Sequence, residues 1–423
     1  MKFKIHTFGC KVNTYDSGLL EQRLKKDGFA AVTKDEEPLV HILNTCAVTK
    51  EATREAVKTA RRLKIQNPHS LVVVTGCSAQ VDTEEFDVVR GVDLVVANSH
   101  KGQLEQLIRR YYSGELRDRI HKSNIFKKED LEPGGGLEAG HTRSFLKIQD
   151  GCNSFCTFCV IPFARGKSRS LTIKDIVRRV QELEAGGVRE VVLTGVHIAD
   201  YQDGDQVLED LVENLLLKTS MPRLRLTSLE PLEVSERLLS LFSDSRLCRH
   251  FHMSIQSANS KVLREMKRKY TAEDVETSLL QIHERVPGSF VGMDVIAGFP
   301  GESEDEFLDS IERLRRLPWT RLHVFPYSER PGTFAARRTD AVDSAAISQR
   351  AALLRALSRE RFQAESEAQV GQQKAALSLK SGKLLTRDFW NVELEGETVP
   401  PNEERFVRIL GLKGESLLGH LHP

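Results

Sequence analysis

Three cysteines stand in Gly151-Cys152-Asn153-Ser154-Phe155-Cys156-Thr157-Phe158-Cys159, spaced Cys-x-x-x-Cys-x-x-Cys. The chain carries 7 cysteines in 423 residues, and at that frequency the spacing arises by chance in about 2 of every 1000 such chains, so it asks for chemistry. Three thiolates on one short loop can hold three irons of a [4Fe-4S] cube and leave the fourth iron open to a ligand. A structural zinc site closes four ligands, typically as two separated pairs, and buried structural thiols need no fixed spacing. The pattern favours the cluster.

Cys10, Cys46 and Cys77 are far apart in sequence but share a local setting. Phe8-Gly9-Cys10, Asn44-Thr45-Cys46 and Thr75-Gly76-Cys77 each place a cysteine just past a stretch that reads as a strand. Strand patterns cover 2–8, 40–43, 71–75 and 94–96, and helical periodicity covers 17–27, 51–66 and 103–112. Such alternation predicts a parallel α/β sheet, whose strand carboxyl ends share the edge where α/β folds bind ligands. The three thiols can converge there as a second metal site. Taken singly, they also fit the pattern of small buried apolar residues. Cys248 has no cysteine neighbour and reads as a plain thiol.

The elements that must position the 152–159 loop form a second alternation. Strand patterns at 145–149, 190–194, 224–228, 250–255, 291–296 and 321–325 are interleaved with helical patterns at 173–185, 207–217, 235–242, 272–284 and 304–317. Six βα-type repeats predict an open, partial (βα)6 barrel, since a complete eightfold barrel takes about 250 residues. The cysteine loop follows the first of these strands, on the side where such barrels build their active sites. Before it, the charged run 117–128 and Glu132-Pro133-Gly134-Gly135-Gly136 read as a solvated connector with a flexible break. After it come a turn-rich exit, a connecting helix over 344–368, and strand patterns at 374–379 and 406–410 that predict a small β-barrel. The expected boundaries are 1–112, a linker 113–141, a core 142–330, a connecting segment 331–368 and a terminal domain 369–423.

Hydrophobic content of 40% and charged content of 29% describe a globular chain, and no apolar run approaches the roughly 18 residues of a spanning helix. Met1-Lys2-Phe3-Lys4-Ile5-His6-Thr7 has no apolar signal region, so a reducing, cytoplasmic setting without a membrane partner is expected. The formal net charge is +1, which excludes a whole-chain field as the source of nucleic-acid affinity. Any such contact must come from local basic patches.

The cysteine loop resembles the radical-SAM signature, and Cys10/Cys46/Cys77 followed by Cys152/Cys156/Cys159 resembles the methylthiotransferases over essentially the whole chain. The resemblance implies an N-terminal methylthiotransferase domain, a radical-SAM partial barrel and a C-terminal RNA-binding TRAM barrel. It implies two [4Fe-4S] clusters, one on each cysteine triad, with Cys152, Cys156 and Cys159 as the catalytic set. S-adenosyl-L-methionine is implied as both methyl donor and source of a 5′-deoxyadenosyl radical. Phe8-Gly9-Cys10-Lys11-Val12-Asn13 and Asn44-Thr45-Cys46-Ala47-Val48-Thr49 look like the branch acting on threonylcarbamoyladenosine in tRNA, as does Ile161-Pro162-Phe163-Ala164-Arg165-Gly166-Lys167-Ser168-Arg169-Ser170. The isopentenyladenosine branch usually shows Gly-Cys-Gln-Met-Asn at the first site, and the ribosomal-protein branch Gly-Cys-Pro-Lys-Asn. The implied partners are the tRNA anticodon stem-loop, with carbon 2 of the modified adenosine at position 37 as target, an external one-electron reductant and a sulfur donor.

Within the resemblance, Thr194 and Gly195 present backbone groups to the cofactor's amine, while Glu230 and Gln256, with Asp294, face the same mouth from later strand ends. Each also fits a helix cap or a turn closure. His197 reads as an ordinary loop histidine. Arg165-Gly166-Lys167-Ser168-Arg169 reads either as solvated charge or as a grip on RNA phosphate. Two features depart from the family pattern. The tail from Gly371 has 7 Lys+Arg and 7 Asp+Glu, hence no net basic charge, and Lys267 stands where the family commonly carries Asn.

Overall fold

The computed structural model describes residues 1–33, 36–131, 134–135 and 142–422. It divides into two compact units: Met1–Gly136 with Gln149–Leu171 and Ser328–Ala336, and Leu137–Ile148 with Thr172–Tyr327 and Arg337–Pro423.

The first unit is built on a six-stranded sheet in the order Ala30–Ala31, Lys2–Thr7, Val40–Thr45, Leu71–Gly76, Leu94–Ala97, Ile120–His121. Every pairing is parallel. The strands Val40–Thr45, Leu71–Gly76 and Leu94–Ala97 are buried at every position, as a parallel sheet covered on both faces requires. Successive residues serve opposite faces. Ile42 and Val73 pack with Leu20, Leu24 and Leu107, while Leu43 and Val74 pack with Ala56, Ala60 and Phe86.

Two differences from the sequence reading matter for the site. The first helix spans Lys11–Lys26, six residues longer at its start than the periodicity shows. Its opening turns bury Asn13, Asp16 and Ser17, and buried polar residues leave no apolar period to read. The stretch 113–141, expected as a linker, contributes the strand Ile120–His121 to the sheet and the buried Ile125, which lies against Gly166. Of the expected flexible break, residues 132–133 and 136–141 lie outside the described residues.

In the second unit, Arg143–Lys147, Glu190–Thr194 and Arg223–Arg225 form one parallel set, and His250–Gln256, Phe290–Ala297 and Arg321–Pro326 another. A parallel bridge from Leu229 to Met253 joins the two, giving six parallel strands in chain order, the partial barrel. The third strand ends at Arg225 rather than 228, and Ser228 then turns through the left-handed region at φ 57°. Helices Ile173–Ala185, Ala272–Arg285 and Glu304–Arg316 start on the hydroxyls of Thr172, Thr271 and Ser303. Helix Ser344–Glu367 leads to a closed five-stranded barrel, the expected TRAM-like element, cored by Trp390, Val392, Val407, Ile409 and Leu417.

A buried ionic cluster ties this barrel to the parallel strands. Glu190 accepts from Arg143 Nε at 2.7 Å, Arg223 Nε at 2.8 Å and Arg225 Nε at 3.0 Å. Arg223 continues to Glu404 at 2.7 Å and to the carbonyls of Leu385 and Thr386 at 3.0 and 3.1 Å. Burial works against the Glu190 charge, but Arg225, Arg143 and Arg223 outweigh it and hold the carboxyl well below its ordinary range. Among the described residues, no helix is long and apolar enough to cross a membrane.

Candidate functional site

Cys10, Cys46 and Cys77 stand at the carboxyl ends of three neighbouring parallel strands. Cys10 occupies the cap position of helix Lys11–Lys26, Cys46 follows strand Val40–Thr45, and Cys77 opens helix Cys77–Val81. Two glycines make this approach possible. Gly9 sits at φ +86°, and a Cβ there would lie 2.4 Å from Cys46 Cβ and 2.5 Å from its Sγ. Gly76 sits at φ +98°, and a Cβ there would lie 2.4 Å from the Thr45 carbonyl oxygen. Burial, then the nearby thiols of Cys77 and Cys10, push the Cys46 thiol up to about 12. Burial also raises Cys77, against the pull of Arg165. Gly9 and Gly76 thus let the neighbouring strand ends that carry the three cysteines pack together.

A polar frame holds this edge. Asn13 Nδ2 donates to the carbonyls of Phe8 at 2.8 Å and Thr45 at 2.9 Å, and Asn44 Nδ2 donates to the Asn13 carbonyl at 2.9 Å. Asn98 Nδ2 reaches Cys77 Sγ at 3.7 Å and the Ala164 carbonyl at 2.9 Å. Cys77 packs with Val160 and Ala164, residues that directly follow the other cysteine loop.

That loop belongs to the same compact unit. Its base is the antiparallel pair Gln149–Asp150 with Arg169–Ser170, and Cys152 N–H donates to the Gly166 carbonyl at 3.1 Å. Gly151 at φ +78° passes so near the chain opposite that a Cβ would lie 2.0 Å from the Lys167 carbonyl oxygen. Within the loop, Cys159 N–H donates to the Cys156 carbonyl at 3.0 Å and Ser154 N–H to Cys152 Sγ at 3.4 Å. Cys156 is buried, Cys152 and Cys159 half-buried. Phe155 takes the left-handed conformation at φ 47° and stacks on Phe126 at 6.2 Å, with Phe163 edge-on at 6.1 Å.

Arg165 links the two triads. It is 3% exposed, donating to Asp150 Oδ1 at 2.9 Å, Asn13 Oδ1 at 2.7 Å and Asp16 Oδ2 at 3.1 Å. Asp150 precedes the Gly151-Cys152 turn, and Asn13 and Asp16 lie on the helix that Cys10 begins. Burial opposes the guanidinium charge, but Asp150, Cys77, Asp16 and Cys10 more than offset it. The reading of Arg165 as a grip on RNA phosphate is thus overturned, since its donors are spent inside. Arg169 is likewise engaged, with the carbonyls of Asp130 at 3.0 Å and Arg165 at 2.9 Å.

In the second unit, the remaining candidates stand at strand ends. Thr194 closes strand Glu190–Thr194, its carbonyl already accepting from Ile148 N–H at 2.9 Å, so the backbone of Gly195 and beyond is what that end presents. Gln256 ends strand His250–Gln256 at φ 62°. Asp294 Oδ1 lies 3.2 Å from His252 Nε2. Glu230 accepts from Arg268 Nη1 at 2.8 Å, and His197 Nε2 lies 3.8 Å from it. His197 is not an ordinary loop histidine: it is buried and hydrogen-bonded to Glu233, forming with Glu230 and Glu233 a compact donor group. Arg268 also donates to the Ser254 carbonyl at 2.8 Å, where Tyr270 Oη joins at 2.7 Å. Cys248 is buried, as a plain core thiol would be.

Sequence reasoning passed over Asn13, Asp16, Asn98, Lys101, Glu233 and Arg268. Asn13 and Asp16 stand three and six residues after Cys10, ahead of the 17–27 helix pattern. Nothing in a linear pattern separates a buried polar residue from a solvated one.

The donor chemistry fits iron–sulfur clusters. Each triad offers three soft sulfurs, and a bound cation would favour the thiolate form that burial disfavours at Cys46 and Cys77. Parallel α/β strands ending in cysteines and a Cys-x-x-x-Cys-x-x-Cys loop in one unit, with a partial parallel barrel in the other, define a radical-SAM enzyme. The Radical SAM superfamily matches residues 146–314, and Uncharacterized protein family UPF0004 matches residues 2–97. The threonylcarbamoyladenosine tRNA methylthiotransferase MtaB of Aquifex aeolicus is 36% identical over 94% of this chain and 97% of its own. That of Bacillus subtilis is 37% identical over 84% and 79%. The tRNA-2-methylthio-N(6)-dimethylallyladenosine synthase of Desulfotalea psychrophila is 32% identical over 84% and 83%. The radical S-adenosylmethionine methyltransferase TsrM from Kitasatospora setae, solved with cobalamin and a [4Fe-4S] cluster, shares the fold with a TM-score of 0.57 at 16% identity, covering 79% of this chain and 76% of that one.

The chain belongs to the radical-SAM tRNA methylthiotransferase family. It is an enzyme that transfers methylthio groups to tRNA, with [4Fe-4S] clusters and S-adenosyl-L-methionine as cofactors.

Proposed function

We propose that the enzyme places a methylthio group on carbon 2 of N6-threonylcarbamoyladenosine at position 37, in the anticodon stem-loop of tRNA, in the cytoplasm. The observation that carries this reading is that relatives at 36%, 37% and 36% identity bear the threonylcarbamoyladenosine name, against 32% and 33% for two dimethylallyladenosine enzymes.

In this reading Cys152, Cys156 and Cys159 hold the cluster with the open iron, and Cys10, Cys46 and Cys77 hold the second. When bound, the clusters supply reductive cleavage of the cofactor's sulfonium and a platform for sulfur transfer. Thr194 and Gly195 offer backbone, and Glu230 and Gln256 side chains, to the cofactor's polar groups. Gly9 and Gly76 keep three strand ends close enough for one ion group to be shared. Phe126, Phe155 and Phe163 form an aromatic cluster beside the cysteine loop. The reductant and the sulfur donor come from outside the chain.

Nucleoside mass spectrometry of tRNA from a deletion strain tests the substrate. Loss of 2-methylthio-N6-threonylcarbamoyladenosine with accumulation of its unthiolated precursor is expected. Persistence of that nucleoside, with loss of the isopentenyl counterpart or of ribosomal-protein methylthiolation, overturns the reading.

A further inference from the structure

The C-terminal barrel is a poor source of electrostatic affinity for RNA. Its 7 Lys+Arg face 7 Asp+Glu from Gly371 onward. Five of those cations are ion-paired: Lys374 with Asp388, Lys383 and Lys413 with Glu393, Arg387 with Glu404, and Arg405 with Glu403. With a whole-chain charge of +1, the counterion release that drives RNA binding must come from a local surface elsewhere.

Helix Lys50–Gln66 of the first unit has such a surface. It carries six Lys or Arg against Glu51 and Glu55. Its inner face, Thr53, Ala56, Thr59, Ala60 and Leu63, is buried against the sheet. Arg54, Lys58, Arg61 and Arg62 fall at i, i+4, i+7 and i+8, one continuous stripe on the opposite side, all exposed. They line an open groove of about 560 Å³ in which Glu85 is the one acid. Among the described residues, Lys58, Arg61 and Arg62 make no ion pair, and Arg54 makes a single long one, 3.7 Å to exposed Glu51. Elsewhere on the same helix Lys64 is neutralised by Asp93 at 2.7 Å, so the stripe is not simply a sample of the helix's charge.

We propose that Arg54, Lys58, Arg61 and Arg62 form a phosphate-binding surface for the tRNA, distinct from the groups that hold the reacting base. The inference rests on tRNA as substrate, whichever adenosine is modified. The helix begins four residues after Cys46, and at about 1.5 Å per residue Lys58 to Arg62 lie about 12–18 Å along it. Cations at that distance reach backbone several nucleotides from the reacting base, so the surface grips the stem and reads no sequence.

The test uses the full chain, anaerobically reconstituted, with a tRNA carrying unthiolated threonylcarbamoyladenosine. The variant Lys58→Gln/Arg61→Gln/Arg62→Gln is compared with wild type for tRNA affinity between 50 and 200 mM salt. The expected result is a log–log salt slope shallower by about 2–3, a Kd raised about tenfold or more at 100 mM salt, and a higher KM for tRNA with kcat unchanged at saturation. Iron content and tRNA-independent 5′-deoxyadenosine release should match wild type, since these side chains are exposed. A wild-type slope in the variant overturns the proposal, as does loss of binding to phosphatidylserine vesicles with tRNA affinity untouched, which would make this a membrane contact. If wild-type protein fails to bind the tRNA at all, the functional reading fails instead.

Discussion

Replacing Arg165 with Met removes a cation that touches both cysteine-bearing segments. The side chains involved are almost wholly buried, at 4% exposure for Arg165, 5% for Asp16 and 7% for Asp150. Breaking a buried pair by deleting one partner costs about 3–5 kcal/mol, because the remaining charge is stranded in low dielectric. Here the stranded carboxylates keep some company. Asp16 retains Lys101 at 3.2 Å, and Asp150 retains the Gly151 N–H at 2.9 Å and Arg169 at 3.5 Å. The loss therefore falls at the low end, about 3 kcal/mol. For a unit of about 170 residues, each kcal/mol shifts the midpoint by about 2–4 °C, so the first unit should melt about 6–12 °C lower. Hydrogen exchange of amides in strands Val40–Thr45 and Leu71–Gly76 of the apo chain reads this unit separately from the other. Arg165→Lys keeps the charge but not the planar fork, and should lose about half as much. Adding Asp150→Asn and Asp16→Asn to Arg165→Met should restore part of the loss. A methionine variant within about 0.5 kcal/mol of wild type, with full iron content, would refute the reasoning.

Alanine in place of Cys10, Cys46 and Cys77 should lower iron from about eight to about four per chain while 5′-deoxyadenosine release persists; the same change at Cys152, Cys156 and Cys159 should halve iron and abolish release. In apo protein, Cys46, pushed up to about 12, should resist iodoacetamide at pH 8, reacting only as pH climbs through about 9 to 12, whereas exposed Cys10 labels readily. Glu190→Gln should destabilise the second unit by about 3 kcal/mol by leaving Arg143, Arg223 and Arg225 without their shared carboxylate. Because the folded-state pKa of Glu190 is held well below its unfolded 4.5, its contribution is complete above that pH and disappears as pH falls toward the folded value. Acid titration of the wild type should show this limb and the Gln variant should lack it. Lys267→Gly should gain about 1 kcal/mol in chemical denaturation, because Lys267 holds φ 60° just past helix Ser260–Glu265, a left-handed cap position. That conformation also accounts for Asn being common in the family at this point, and a destabilised Gly variant would contradict it.

The cysteines and the parallel α/β alternation were legible because both are written in short range. A three-thiol loop needs only nine residues, and a strand followed by glycine and cysteine is a local phrase that recurs in the sheet. The same locality revealed the left-handed glycines' neighbourhood but not their reason: a Cβ on Gly9 would lie 2.4 Å from Cys46 Cβ, 37 positions away.

Sequence by itself determined the two cysteine triads as candidates, the order of sheet, partial barrel and terminal barrel, and the family. Tertiary structure alone decided which charges are structural. Arg165 and Lys167 stand two residues apart in one basic run, yet the first is buried and the second exposed. Asn13 and Asp16, two of the partners that hold Arg165, lie 152 and 149 residues away. Arg223 bonds to the Thr386 carbonyl 163 residues further on, and His197 to Glu233 across 36. A buried charge persists only where opposite charges and donors converge on it, and such convergence is a property of the folded chain, absent from any window of the sequence.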